Sequence, residues 1–251
     1  MSKIIGNLII KSNKKKYIKI KRNQLLILDA LLNDGGGSKK YIDRKHNLRN
    51  SEHSGNFGLN ESTLDRIIVS AKTTREDADD KDILLPHNLK DTYDYEYFFH
   101  THPPTPYPGA RAKQGILYEF PSISDIFHFI DHYNQGKTIG SVVIAPEGYY
   151  IIYPKNFKIK KIIYDEDIED NIFQNMETGN NEIQEEALKQ YGDSFDIDTY
   201  YNKISLDDTY LIKFNKMLNK YLDNQIKVVI KNRSKDILTG KWIIKELLLP
   251  I

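Results

Sequence analysis

Two short apolar runs open the chain, residues 3–10 and 17–21, separated by the turn-forming stretch 12–16, and this spacing predicts two short strands. Residues 23–33 place Leu25, Leu26, Ile27, Leu28, Ala30, Leu31 and Leu32 at the spacing of a helix buried over a wide face. Asp34 and the three glycines after it end that helix. The polar stretch 38–51 reads as a long loop. Residues 52–59 and 64–71 read as strands, the first weakened by Gly55 and Gly58, and the charged run 73–82 reads as a surface insertion.

The aromatic segment 95–101 reads as a strand running into Pro103 and Pro104. Residues 103–121 form a loop containing Pro and Gly. A helix then spans Ser122 to Gln135, with Ser122 as N-cap, Asp125 three residues on and Gly136 as the stop. Residues 141–154 are a hairpin, two apolar runs joined by Pro146, Glu147 and Gly148. Beyond Pro154 the character changes. Residues 165–198 are acidic with few apolar positions, a helix amid loops. Leu206, Tyr210, Leu211, Phe214, Met217, Leu218, Tyr221 and Leu222 then keep helical spacing. Residues 226–231 read as a strand and 241–249 as a strand or helix. No internal repeat is present.

With 251 residues the chain can bury one substantial core, or one domain and a smaller appended one. Its 39% hydrophobic and 28% charged content is that of a soluble globular protein. No run approaches the length a membrane helix needs, and the first apolar run precedes its lysines, the wrong order for a secretory signal. Cysteine is absent, so disulfides and thiolate metal sites are excluded and any metal falls to His, Asp or Glu. These features fit a cytoplasmic or nuclear setting. Richness in Lys, Ile, Asn, Asp and Tyr suggests an AT-rich genome, such as that of a large DNA virus.

The net charge of +1 conceals two opposed regions. Residues 1–50 hold thirteen Lys/Arg against three Asp, whereas 161–200 hold two Lys against twelve Asp/Glu. Because the lysines are spread over several elements, two solvated faces are the first reading, ahead of a nucleic-acid surface at the N-terminal region.

Candidate chemistry is concentrated in two short segments. His100 and His102 end an apolar strand two residues apart, so both imidazoles project from one face and can converge on one ion. Asp125, in the first turn of the next helix, is stabilised by the helix dipole and also completes a capping box with Ser122. Two imidazoles and a carboxylate leave a fourth tetrahedral position open, the pattern of a catalytic zinc site. His128 and His132 share a helical face with Asp125; a role beside the ligands, or none, is the first reading, ahead of a second metal site. His46, His53 and His87 sit in polar surroundings that suggest only exposure.

Three motifs taken together, Glu52-His53-Ser54-Gly55, His100-Thr101-His102-Pro103 and Ser122-Ile123-Ser124-Asp125, resemble the signature of the JAMM (MPN+) zinc metallopeptidases. The resemblance covers about residues 20–155 and includes the hairpin after the helix. It implies an α/β (α+β) fold, a mixed β-sheet flanked by helices around a JAMM/MPN (cytidine-deaminase-like) core. Residues 1–155 would be the metallopeptidase domain and 156–251 an acidic C-terminal extension, a surface where a protein partner could bind. It further implies a Zn2+ ion on His100, His102 and Asp125, Glu52 as general base and Ser122, preferred to Ser124 by its spacing from Asp125, as oxyanion donor. The activity implied is cleavage of a peptide or isopeptide bond in a ubiquitin or ubiquitin-like conjugate.

The chain departs from that pattern in one respect. Nineteen residues, 103–121, separate His102 from Ser122 where the family has about seven, a candidate lid or substrate clamp. Glu96 and Glu119 are the rivals to Glu52 as base. A non-catalytic MPN scaffold is the main alternative to an enzyme, set against by the retained ligand set, with a nucleic-acid-associated role behind it.

Overall fold

The computed structural model describes residues 17–33, 41–42, 48–49, 52–60, 63–69, 83–84, 94–102 and 107–251. The strand expected at 3–10, the lysines of 11–16, the charged run 73–82, His46, His87 and Pro103–Pro106 lie outside them.

Strand β1 (Tyr17–Lys21) follows its alternation, burying Ile18 and Ile20 and exposing the residues between. Helix α1 (Arg22–Asn33) buries only Leu25, Leu28 and Leu32. Leu26 and Ile27 are exposed, so the wide apolar face narrows to one stripe at helical spacing. The stretch read as a loop contains a small antiparallel pair, β2 (Tyr41–Ile42) and β3 (Leu48–Arg49). β4 (Glu52–Asn60) and β5 (Thr63–Val69) form a hairpin, and β6 (Ile83–Leu84) runs parallel to the first residues of β4. Gly55 is required rather than weakening: a Cβ there would lie 2.0 Å from the carbonyl oxygen of Ile68 and 2.7 Å from the Phe99 ring.

β7 (Tyr97–Thr101), α2 (Ile123–Gln135), β8 (Gly140–Ile144) and β9 (Gly148–Pro154) come next. After them follow α3 (Glu169–Tyr191), α4 (Ile197–Thr199) leading into a π-helical turn at Tyr200–Ile204, α5 (Thr209–Tyr221) and β10 (Ile226–Asn232). β11 (Ser234–Lys235) and β12 (Trp242–Ile243) pair as a hairpin, and β13 (Glu246–Pro250) returns to pair with β1. The helix expected from Leu206 begins at Thr209, and Leu206 is exposed.

The main sheet runs β10-β9-β8-β7-β4-β5, with β6 alongside the start of β4. Its neighbours are antiparallel except β7 with β8 and β4 with β6. The fold is therefore mixed α/β, as the sequence implies. Alternation along the strands sends side chains to two cores. Phe98, Val143, Tyr150, Ile152 and Val228 meet α2, α3 and α5 on one face. Phe57, Tyr97, Phe99, Val142 and Ile151 meet β1, α1 and β13 on the other. The residues after 155 share in both cores: β10 extends the sheet, α3 and α5 cover one face, and β13 closes the other.

α1 is fastened across the second core by a buried charge cluster. Asp29 accepts from the Tyr149 hydroxyl and from Arg233, each at 2.8 Å, and from Arg22. Arg233 also donates 2.8 Å to the Pro146 carbonyl in the β8–β9 turn. Burial opposes the Asp29 charge, but Arg233 and Arg22 outweigh it and hold the carboxyl below the usual carboxylate range.

Removing one partner of such a cluster strands the other charges. Asp29→Ala is expected to cost about 3–5 kcal/mol at pH 7 in urea unfolding. Because the folded carboxyl has the lower pKa, the Asp29 contribution is present above its ordinary 3.8 and disappears as pH falls through the folded value. A loss under about 1 kcal/mol would show that Asp29 does not carry the cluster.

Candidate metal centre

Strand geometry sets the first two members. Alternation puts Phe98, His100 and His102 on the face toward α2. His100 is buried, paired in register with Ser54 on one side and Val143 on the other. The His102 amide continues the β8 ladder, donating 2.8 Å to the Ile144 carbonyl.

Parallel pairing supplies the third member. Two parallel neighbours cannot be joined by a tight turn, so the chain leaving β7 must cross back before entering β8. α2 makes that crossing, and its first turn therefore lies over the carboxyl end of β7. Ser122 caps it: the Ser122 hydroxyl oxygen accepts from Asp125 N–H (3.1 Å), and Ser122 N–H donates to Asp125 Oδ2 (2.7 Å). This capping box orients the Asp125 carboxylate toward the histidines. Ser124 faces solvent.

The three side chains converge. His100 Nε2 lies 3.0 Å from Asp125 Oδ1 and His102 Nε2 lies 3.0 Å from Asp125 Oδ2. All three donor atoms fall within 4.8 Å of one another, the only such group of His, Asp and Glu among the described residues. His100 Nε2 is buried and, despite its distance from Oδ1, has no hydrogen-bond partner. The His100 ring nitrogen and the Asp125 carboxylate thus face each other at ion-pair distance off hydrogen-bond geometry, an arrangement that two ligands of one ion also have. Each His–Asp distance is close to the about 3.3 Å that separates two tetrahedral ligands at ordinary zinc distances, with the two histidines on different oxygens of the carboxylate.

Charge is strongly polarised here. Burial opposes the charged form of Asp125, but His100 and His102 outweigh it and hold the carboxyl well below the usual range. Burial likewise opposes the His102 cation, yet its bond to Asp125 and the charges of Asp125, Glu52 and Glu119 lift its pKa to about 9. The same group that holds a proton here would hold a cation.

Glu52 reaches this site through register. With Ser54 opposite His100 and His53 N–H donating 2.9 Å to Thr101 Oγ1, Glu52 stands level with His102 on the next strand. It is half-buried. Glu96 begins at the far end of β7, where its carbonyl accepts from Ile139 and Gly140. Four residues of strand put it about 13 Å from His100. His53, expected to be exposed, is buried, because alternation along β4 turns it to the face opposite Glu52.

Residues 107–121 are built into the fold. Ala112, Leu117, Tyr118 and Phe120 belong to the core beneath α2. Gln184 of α3 accepts from Leu117 and Tyr118 N–H (2.9 and 3.1 Å) and donates to the Tyr118 carbonyl (2.8 Å). The Tyr200 hydroxyl binds the Leu117 carbonyl and the Tyr118 hydroxyl the Ile204 carbonyl, 2.8 and 2.9 Å. The apolar end of the insertion, read from sequence as part of a candidate lid or clamp, packs into its own protein, because α3 and the π-helical turn offer it a complementary surface.

That packing delivers Glu119, one of the sequence's rival bases, and Glu147, which the sequence did not single out. Glu119 is buried, bonded by Arg111 at 2.9 Å, and its charge acts on His102. Burial raises its pKa against the pull of Arg111. Glu147 is fully buried, with Oε1 accepting from Glu119 N–H (2.7 Å) and the Tyr150 hydroxyl (2.8 Å) and Oε2 unpartnered. Burial and then the Glu119 charge push its pKa to about 7. The sequence marked Glu147 only as a turn residue. His128 and His132 pack against Phe98, their rings 4.2 Å apart, and burial lowers the His128 pKa to about 4. They belong to no group of three ligands among the described residues.

No protein-family model and no solved structure matches the chain. It is similar to an uncharacterized protein of Acanthamoeba polyphaga mimivirus, 33% identical over 243 residues. The match takes in 93% of this chain and 65% of that protein, so the chain spans somewhat less than two thirds of its relative's length.

Glu147 makes stability depend on pH in a defined direction. Its folded pKa of about 7 lies above its ordinary 4.5, so its contribution is full below 4.5 and is lost as pH rises to 7. The loss amounts to about 3 kcal/mol, measurable by urea unfolding across that window. Glu147→Gln is expected to flatten most of that fall, and an unchanged profile would mean that Glu147 ionises freely in the folded protein.

Proposed function

We propose that the chain is a zinc-dependent hydrolase of peptide or isopeptide bonds, a divergent JAMM (MPN+) metallopeptidase. One observation carries the reading: two histidines of a strand end and a helix-capping aspartate bring three donor atoms within 4.8 Å, with a glutamate level with one of them on the adjoining strand. The donor set of two imidazoles and one carboxylate, with no cysteine in the chain, suits zinc with an open position.

When bound, zinc acidifies water and polarises a carbonyl. The chain's own groups supply the rest. The Glu52 carboxylate takes the proton of the attacking water and delivers it to the leaving amine. Ser122 Oγ already accepts the Asp125 amide, which leaves its hydroxyl hydrogen to donate to the oxyanion developing on the scissile carbonyl. The capping box holds that hydroxyl and Asp125 in one rigid turn. The substrate class is a ubiquitin or ubiquitin-like conjugate, on the strength of the family resemblance. A non-catalytic scaffold would have no need of the converged ligands or of Glu52 beside them.

Protein purified with added zinc is expected to hold one equivalent and to lose both metal and cleavage of ubiquitin chains to a chelator, regaining both on zinc addition. Glu52→Gln should keep the zinc and lose turnover by about 10²–10⁴-fold, since an amide cannot take the proton. Less than about a tenth of an equivalent of zinc would end the catalytic reading. Full activity in Glu52→Gln would move the base elsewhere, with Glu119 next to be tested.

A further inference from the structure

The hairpin β11–β12 stands off the main sheet, and its tip carries the most exposed large apolar side chains among the described residues, Ile237 at 94% and Leu238 at 93%. In a slack loop such exposure would carry little meaning. This tip is held rigidly. Asp236 Oδ1 accepts from Leu238 N–H (3.3 Å), Asp236 Oδ2 from the Thr239 hydroxyl (2.7 Å), and the Asp236 carbonyl from Gly240 N–H (2.8 Å). Gly240, at φ +68°, makes the return and Asp236 N–H closes the loop on the Lys241 carbonyl (2.8 Å). At the base Trp242 stacks on buried Tyr201, ring centroids 4.4 Å apart and planes at 18°. Lys235 lies over the Trp242 ring and pairs with Asp198 at 3.0 Å. The turn thus projects two aliphatic side chains that pack against nothing among the described residues.

The collar below the tip is basic. Lys231, Lys235, Lys241 and Lys245 are all exposed. The acidic groups among them are engaged: Asp236 in the turn, Asp198 with Lys235, Glu246 with Lys19. We propose that this hairpin is a membrane-contacting finger that seats Ile237 and Leu238 at the headgroup–acyl boundary of an anionic bilayer, with Lys231, Lys241 and Lys245 against the lipid phosphates. Aliphatic side chains gain by leaving water wherever the surface is apolar, and lysines on long stems suit a diffuse negative surface. A specific protein pocket would call for aromatic or arginine anchors, and the tip has none.

The test uses the full chain and sedimentation with vesicles of phosphatidylcholine, alone or with about 30% phosphatidylserine. Binding is expected only with phosphatidylserine, weakening about tenfold or more at 0.5 M salt, roughly, as lysine attraction is screened. The double variant Ile237→Asp/Leu238→Asp should also bind about tenfold or more weakly, with an unchanged melting temperature because the tip packs against nothing among the described residues. Trp242 is the sole tryptophan, so energy transfer to a dansyl-labelled headgroup reports whether this hairpin is the part in contact. Transfer is expected for the parent chain and its loss for the double variant. Vesicle binding that ignores phosphatidylserine, or that survives unchanged in the double variant, overturns the proposal, as does the absence of binding at low salt, which would leave the tip to a protein partner.

Discussion

The arrangement of the site depends on one topological constraint, the parallel pairing of β7 with β8. A sheet of antiparallel neighbours could have joined these strands by a short turn and left the carboxyl end of β7 bare. Parallel pairing forces a crossover, and the crossover brings the start of a helix to the place where the strand's histidines project. The helix needs a cap at that point for its own unpaired N–H groups. Ser122 and Asp125 provide it, and the carboxylate that satisfies the cap is the one that faces the imidazoles. A capping requirement and the convergence of the three groups are therefore met by a single residue, and the Asp125 carboxyl is held low while the His102 ring is held protonated.

The second feature is that the site's surroundings come from far along the chain. Gln184 on α3 satisfies three backbone groups of the segment leading to Ser122, and Tyr200 a fourth. Glu147, from the turn after β8, takes the Glu119 amide. These bonds hold residues 117–119 in place, and with them Glu119, whose charge acts on His102. The C-terminal third thus acts as a brace for the loop that enters the candidate site. Its price is a fully buried carboxyl with one oxygen unpartnered, which makes the fold sensitive to pH near neutrality.

The sequence by itself determined the local elements with strong periodicity and the candidate metal group. β1, β4, β7, α2 and the β8–β9 hairpin stand where alternation, capping residues and turn residues place them. His100, His102 and Asp125 were legible because two-residue spacing on a strand and an N-terminal helical position each restrict where a side chain can point. Only the tertiary structure decided the rest. Leu26 and Ile27 are as apolar as their neighbours, and nothing local says that α1 would be covered along one stripe. The pairing of β1 with β13, of β10 with β9 and of Asp29 with Arg233 joins residues far apart in the chain, and period and propensity carry no information at that range. Glu147 read as an ordinary turn residue, and Glu119 as a candidate base from its place before Ser122 alone. Their burial, and hence their altered ionisation, exists only because α3 and the π-helical turn close over them, and desolvation belongs to the packed molecule rather than to any segment of its sequence.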